Sequence, residues 1–289
     1  MIGMLNQLSD WVEEHLDTEL DVAAIARRLG TSEYHLRRMF ASLAGMPLSE
    51  YVRRRRMALA ATDLIAGEDL LTIAVRYGYG SVEAFGRAFR AVHGVSHGTV
   101  RADGGPLRSQ PQVRFRLTVE GSTSMDVRIV EREAFQLIGH ARRVSLQHHG
   151  INPEIQQFIA GLPMSEHDRL KALSDTEPAG LLQVSADVDP DATPGSPLTY
   201  LHGVAVRAEA LVPQDLTTIP VPAGNWAVFR TEGAYPAAIQ QAYADTATEW
   251  FPSNPWQLRP GPSIIAVIDR AEDFSTAVCA LWLPVERQG

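Results

Sequence analysis

Residues 18–60 read TELDVAAIARRLGTSEYHLRRMFASLAGMPLSEYVRRRRMALA, and their spacing decides the fold of the first third of the chain. Apolar residues recur every three or four positions, at Val22, Ile25, Ala26 and Leu29, then at Leu36, Met39, Phe40 and Leu43. That is the period of helices that bury one face. Gly30 ends the first run, and Ser32 stands where its hydroxyl caps the next. Helix, short turn and helix make the helix-turn-helix arrangement, whose second helix enters the major groove of DNA.

The pattern then repeats. Leu36-Arg37-Arg38-Met39-Phe40 aligns with Phe85-Gly86-Arg87-Ala88-Phe89, and Gly45-Met46 with Gly94-Val95, at an offset of 49. Ile25–Gly30 aligns with Ile73–Gly78 at an offset of 48, because the second turn, Tyr79-Gly80, is one residue longer than the first, Thr31. Between the copies, Ser49–Ala66 holds good helix formers and no Gly or Pro. At 1.5 Å per residue this helix is about 27 Å long. Such a spacer suits two recognition helices in successive major grooves about 34 Å apart.

These residues, with the second copy LTIAVRYGYGSVEAFGRAFRAVHGVS at 71–96, resemble the AraC/XylS-type DNA-binding domain over about residues 5–101. The signature includes Gly78-Tyr79, Phe85, Arg87, Phe89, Gly94 and a terminal Arg101, while His97 and Val100 depart from it. The resemblance implies a transcription regulator with two helix-turn-helix units joined by a long helix. It places Tyr34, Arg37 and Arg38 at groove-facing positions of the first unit; Ser32 starts the same solvent-side stretch, and Val82, Glu83 and Arg87 are the matching positions of the second. Arginine suits guanine O6/N7 or phosphate, Glu83 suits cytosine N4, and Val82 suits a thymine methyl. The run Arg53–Arg56 spreads over about 300° of a helix, so it does not face one duplex as a block. Pairing with Glu50 or Asp63 is expected for some of it, with one or two arginines left to reach phosphate.

Charge divides along the same line. The chain has 289 residues and a net charge of −8, which taken uniformly argues against DNA. Residues 1–116 hold 15 basic and 13 acidic residues, a net of +2, whereas 117–289 hold 11 and 21, a net of −10. The helical part is thus free of the acidity, and its weak basicity leaves specificity to a few arginines. Residues 102–111 are rich in Gly and Pro and read as a boundary. Val113, Phe115, Leu117 and Val119 then alternate with polar residues as a half-buried strand, and Gly121–Ser124 is a second break. The expected domains are 1–104, a linker with a strand at 105–124, and 125–289.

The acidic half reads as mixed α+β. Strands are expected over 127–131, 135–144, 180–187, 201–210, 216–221, 226–231, 264–269 and 277–285. Helices are expected over 153–162, 166–173 and 236–250. Glu133–Ile138 weakly resembles Pro222–Ala227 at an offset of 89. PAGNWAVF at 222–229, Gly233-Ala234-Tyr235, Glu249-Trp250, Gly261-Pro262 and Leu281–Val285 are similar to the GyrI-like small-molecule-binding domain. That resemblance implies two pseudo-symmetric β-α-β-β halves around a ligand cleft, and a small hydrophobic, aromatic or cationic effector. Trp226, Tyr235, Tyr243, Glu249, Trp250 and Trp282 are the candidate cleft residues. Such domains commonly carry a glutamate two residues before the last-strand aromatic; here that position is Ala280.

Other chemistry finds little support. One cysteine, Cys279, excludes an intramolecular disulfide and a Cys-based zinc cluster. No histidine pair has helical metal spacing with a carboxylate partner; His148-His149 reads as a loop. There is no G-x-S-x-G elbow and no P-loop. No catalytic residue, metal or cofactor is expected, and no apolar run reaches the roughly 18–20 residues that span a bilayer. The N-terminus shows no basic segment followed by an apolar core, so a cytoplasmic protein with no secretory signal is expected. The expected partners are promoter DNA, a small-molecule effector and RNA polymerase, with no membrane; two reading units leave both monomer and homodimer open. The competing reading is a GyrI-like hydrolase or drug-sequestering protein with an accessory helical domain.

Overall fold

The computed structural model describes residues 2–116, 125–147, 150–191 and 195–288. Seven helices come first: α1 (Ile2–Glu14), α2 (Val22–Arg28), α3 (Glu33–Ala44), α4 (Leu48–Ile65), α5 (Leu70–Arg76), α6 (Val82–His93) and α7 (His97–Asp103). Side chains of Asp21, Ser32, Asp69, Ser81 and Ser96 each accept a hydrogen bond from the amide three residues on, capping five of them. Each cap contributes about 0.5–2 kcal/mol. Gly45 and Gly94 end α3 and α6 in the left-handed conformation, φ 67° and 79°, which a residue with a Cβ adopts only at a cost. The offset of 49 is therefore a repeat of local geometry, and α4 is the 18-residue spacer.

The two units differ in what they pack against. Phe85, Phe89, Ile73, Met57 and Val100 close a core within the second unit. The first unit's core, Leu5, Leu8, Leu36, Phe40 and Tyr51, continues into Phe115, Phe229, Trp250, Phe251 and Leu281 of the acidic half. The arginine run is consumed internally. Arg53 and Arg54 pair with Glu50, Arg55 with Glu13, and Arg56 donates to the carbonyls of Leu16 and Thr18. Asp63 instead holds Arg76 and the Tyr77 hydroxyl, so the expected Asp63 pairing with the run is corrected.

The expected strand at 113–119 is also corrected, as far as it is described. Residues 104–116 carry no strand, and Leu117–Val119 and Gly121–Ser124 lie outside the described residues. Side chains do the pairing there. The Asn6 amide donates to the Phe115 carbonyl (3.0 Å) and accepts from its N–H (2.8 Å), and the Val113 N–H donates to the Tyr51 hydroxyl (3.2 Å). A primary amide presents the same donor and acceptor as a neighbouring strand, so no ladder is needed.

The acidic half is one antiparallel sheet in the order β1-β6-β9-β8-β3-β4-β2-β5, with β7 also on β9. The strands are β1 (Val127–Arg132), β2 (Phe135–Ser145), β3 (Leu182–Ala186), β4 (Pro197–Arg207), β5 (Thr217–Val221), β6 (Gly224–Ala234), β7 (Trp256–Leu258), β8 (Ser263–Arg270) and β9 (Thr276–Arg287). Helices α8 (Pro153–Ala160) and α9 (Met164–Leu173) follow β2, and α10 (Ala237–Asp245) follows β6. Thr246–Trp250 continues α10 as a π-helical turn. Exchanging β6, β8 and β9 for β2, β3 and β4 reverses the strand order onto itself, which is the two-half symmetry behind the offset of 89.

The described helices of this half pack on one sheet face, α10 against Ala227, Phe229 and Leu281, and α9 against Ile138, Val204 and Val206. Among the described residues the other face carries no helix, yet Leu137, Leu182, Val184, Leu201, Trp226, Ile264 and Trp282 on it are buried. Phe135 of β2 and Trp226 of β6 have four strands between them in the sheet but are only 5.9 Å apart between rings. The sheet curls until its bare face closes on itself. Gly139 and Gly203 oppose each other on β2 and β4, where a Cβ on either would run into the facing backbone.

Candidate DNA-reading helices and aromatic face

α3 and α6 present the candidate reading residues on equivalent surfaces in unequal surroundings. Glu83 and Arg87 are exposed and Val82 is half-buried. Tyr34, Arg37 and Arg38 are all half-buried, because the acidic half packs against α3. Arg37 donates to Glu33 (2.8 Å) and to Asp191 of the β3–β4 loop (3.2 Å), and Asp191 also accepts from the Ser49 hydroxyl (2.6 Å). Burial opposes the charge on Arg37, but Glu33 and Asp191 outweigh it and raise the guanidinium pKa. Burial raises the Tyr243 phenol pKa on α10, and the neighbouring Arg38 charge works against that rise. Residues 192–194 of the same loop are outside the described residues.

Ser32 caps α3 with its hydroxyl, while its N–H donates to Gln257 Oε1 of β7 (3.1 Å). The Thr31 hydroxyl donates to the same oxygen (2.8 Å). The next β7 residue, Leu258, donates its N–H to His35 Nδ1 (2.9 Å), so the ring proton sits on Nε2, which is buried without a partner. Burial drives the His35 pKa down to about 3. A folded pKa below the unfolded value near 6.5 means that the unfolded chain takes up the proton first. Stability is unaffected by this group above about pH 6.5 and falls as the pH drops from there towards 3. The loss is at most about 1.4 kcal/mol per pH unit. His202, lowered to about 4 by burial and then by His167 and His140, acts in the same direction. Urea melts at pH 7, 6 and 5 should show this decline, less steeply for His35→Gln. An equal slope in that variant would refute the assignment.

The six candidate ligand residues do not form one cluster. Trp226 and Trp282 share the closed sheet face, 6.3 Å apart and edge to face, and both indole N–H groups lack a partner. Ala280 lies on the same face. The Arg128 guanidinium stands 5.4 Å over Trp282, and Arg259 stands 5.4 Å over Trp226. Tyr235 is on the helix-bearing face, bonded to Gln183 (2.7 Å). Trp250 is buried between Phe229 and Phe251 at the seam with α3, and Tyr243 packs into the same seam. Glu249 is exposed on the π-helical turn. Arg128, Arg259, Gln257 and Asp191 are site neighbours that spacing did not single out. Gln257–Arg259 runs into Pro260-Gly261-Pro262, which reads as loop and hides β7.

The histidines pair with each other and with acids. His140 Nε2 lies 2.9 Å from Glu166, and His167 Nδ1 lies 3.0 Å from His202 Nε2. Among the described residues no three His, Cys, Asp or Glu side chains are placed to hold a metal; His148 and His149 are outside them. Cys279 is buried, and burial raises its thiol pKa, which disfavours the reactive thiolate. No helix among the described residues is long and apolar enough to cross a membrane.

Two capped helix-turn-helix units joined to a curled, two-half sheet define a DNA reader linked to a small-molecule sensor in one chain. The chain belongs to the AraC-type helix-turn-helix regulators and, through its second half, to the GyrI-like family. A family model described as a GyrI-like small molecule binding domain matches residues 125–286, and one described as a helix-turn-helix domain matches 25–103. The helical half is 38% identical over 88 residues to the regulatory protein SoxS of Salmonella typhimurium, covering 30% of this chain and 82% of that one. It is 35% identical over 95 residues to the HTH-type transcriptional activator AarP of Providencia stuartii, covering 32% and 70%. A putative transcription regulation protein from Staphylococcus aureus MU50 aligns in structure over 56% of this chain and 99% of that chain, at 18% identity and a TM-score of 0.41. The protein is a transcription regulator with an effector-sensing domain.

Proposed function

We propose that this regulator reads two successive major grooves of promoter DNA with α3 and α6 and senses a flat aromatic effector at the rim of the Trp226–Trp282 face, where Arg128 and Arg259 stack on the indoles. The proposed units are 1–104 for reading and 125–289 for sensing, joined by 105–124. What supports the DNA reading is the matched placement of Arg38 and Arg87 on two helices with the same cap and the same glycine stop. One chain then supplies what two subunits supply elsewhere, so a monomer suffices. Cytoplasmic location and contact with RNA polymerase follow from work at a promoter.

The sensor face favours a neutral or anionic aromatic over a cation. No glutamate stands at Ala280, and arginines stack on both indoles. Arg259 has its Nε and one terminal nitrogen buried without a partner, and burial lowers its pKa against the pull of Glu286. Donors outnumber acceptors there, which suits a carboxylate or carbonyl on the ligand. With alanine in place of the acid, binding rather than hydrolysis is the proposed role. The tests are footprinting on the protein's own upstream region and a thermal-shift screen of aromatic acids against hydrophobic cations. Protection of two sites one helical turn apart and stabilisation by the acids are expected. No footprint would overturn the reader assignment, and stabilisation by the cations alone would overturn the sensor assignment.

A further inference from the structure

We infer that the sensor half is docked on the first reading helix as a lock, and that this arrangement is the DNA-excluded form of the regulator. The inference rests on the assignment of α3 as a reading helix and adds how that helix is regulated. Four contacts carry it. Gln257 Oε1 takes the Thr31 hydroxyl and the Ser32 N–H, at the turn that would enter the groove. The Leu258 N–H is fixed on His35. Asp191 bridges Arg37 and Ser49, the latter in the first turn of α4. Tyr243 and Tyr34 pack against the same core at this seam. Ser32, Tyr34 and Arg37 of the first unit are thereby engaged, whereas Glu83 and Arg87 of the second unit are open to solvent.

The chemistry of the Asp191 contact is that of a backbone phosphate. A guanidinium and a hydroxyl at the start of a long helix converge on one carboxylate, and the same donors suit a phosphate oxygen. An acidic loop on a weakly basic reader competes with DNA for those donors. Duplex and sensor cannot occupy α3 together, so DNA binding must shift the chain to an undocked state, and its apparent affinity is reduced by the undocked fraction. β7 also joins the lock to the sensor face: Leu258 holds His35, and the adjacent Arg259 stacks over Trp226. A ligand that engages Arg259 thus discriminates docked from undocked β7, which is the differential contact an effector needs.

The test uses the full chain and residues outside the reading surface. Asp191→Ala and Gln257→Ala are compared with the wild type, and with Asp273→Ala, which removes one exposed acid from the same half without touching α3. Fluorescence anisotropy is measured with the upstream duplex and with a 30-base-pair duplex of arbitrary sequence. Asp191→Ala and Gln257→Ala are expected to bind at least ten-fold tighter than the wild type, with Asp273→Ala unchanged. Amide hydrogen exchange without DNA should rise across residues 31–38 in Gln257→Ala. Equal affinities in all four proteins, or an equal gain in Asp273→Ala, would overturn the lock; so would unchanged exchange at 31–38. Faster exchange at 31–38 with no binding of any duplex by any protein would instead remove the DNA reading and keep the docking.

Discussion

Replacing Arg38 and Arg87 together by alanine is expected to raise the Kd for the specific upstream site by roughly 30-fold or more. Each bidentate contact to a base edge contributes about 1–3 kcal/mol of discrimination. The two residues lie on different helices of different units, so their losses should add, to about 2–6 kcal/mol. Both side chains leave the cores of their helices intact, since Leu36, Met39 and Phe40, and Phe85 and Phe89, carry the packing. The variant should therefore melt like the wild type. Binding to arbitrary duplex should weaken much less, with the salt slope falling by about 2 if both arginines also neutralise phosphate. A competition titration of specific against arbitrary duplex separates the two effects. Retained preference for the specific site in a well-folded double variant would sink the assignment of these residues.

The second large effect is Trp226→Ala, expected to cost about 3–5 kcal/mol in stability. The indole is fully buried, touches Phe135 and Trp282, and lies under Arg259. Its removal leaves a cavity where the sheet closes on itself, and strands held in register from both sides relax little into it. The drop in Tm should be roughly 10 °C, read by the sheet signal in circular dichroism. The first helix-turn-helix unit shares its core with the sheet and should loosen alongside, whereas the second unit, packed on Phe85 and Phe89, should be spared. Hydrogen exchange resolves the two units. An unchanged Tm would mean that the closed face is not a packed core.

Much of this architecture was legible along the chain. The α3 and α6 helices, their serine caps and their glycine stops follow from apolar spacing and turn chemistry within a dozen residues. The strands β1, β2, β6, β8 and β9 follow from alternation. The arginines of 53–56 spread round α4, and their acid partners are only half readable from spacing. Glu50 lies three and four residues away on the same helix, whereas Glu13, the partner of Arg55, comes from α1. The aromatic candidates share one half of the chain but not one face of its sheet. Period-two alternation and the turn after β6 send Trp226 and Tyr235 to opposite faces, and the π-helical turn carries Trp250 into the seam with α3.

Composition and spacing thus settle most of the helices and strands, that the reading unit is duplicated, and that the net acidity is confined to the sensor. These are properties of neighbours along the chain, where side-chain periodicity and capping act. The pairing of Arg37 with Asp191 spans 154 residues, and that of Thr31 with Gln257 spans 226. Those contacts exist because a curled sheet brings β7 and the β3–β4 loop against α3, a consequence of strand twist and shared apolar burial that no local pattern encodes. So the −8 net charge, which along the chain looked like a reader kept clear of acid, becomes in three dimensions an acidic loop seated on one of the two reading helices.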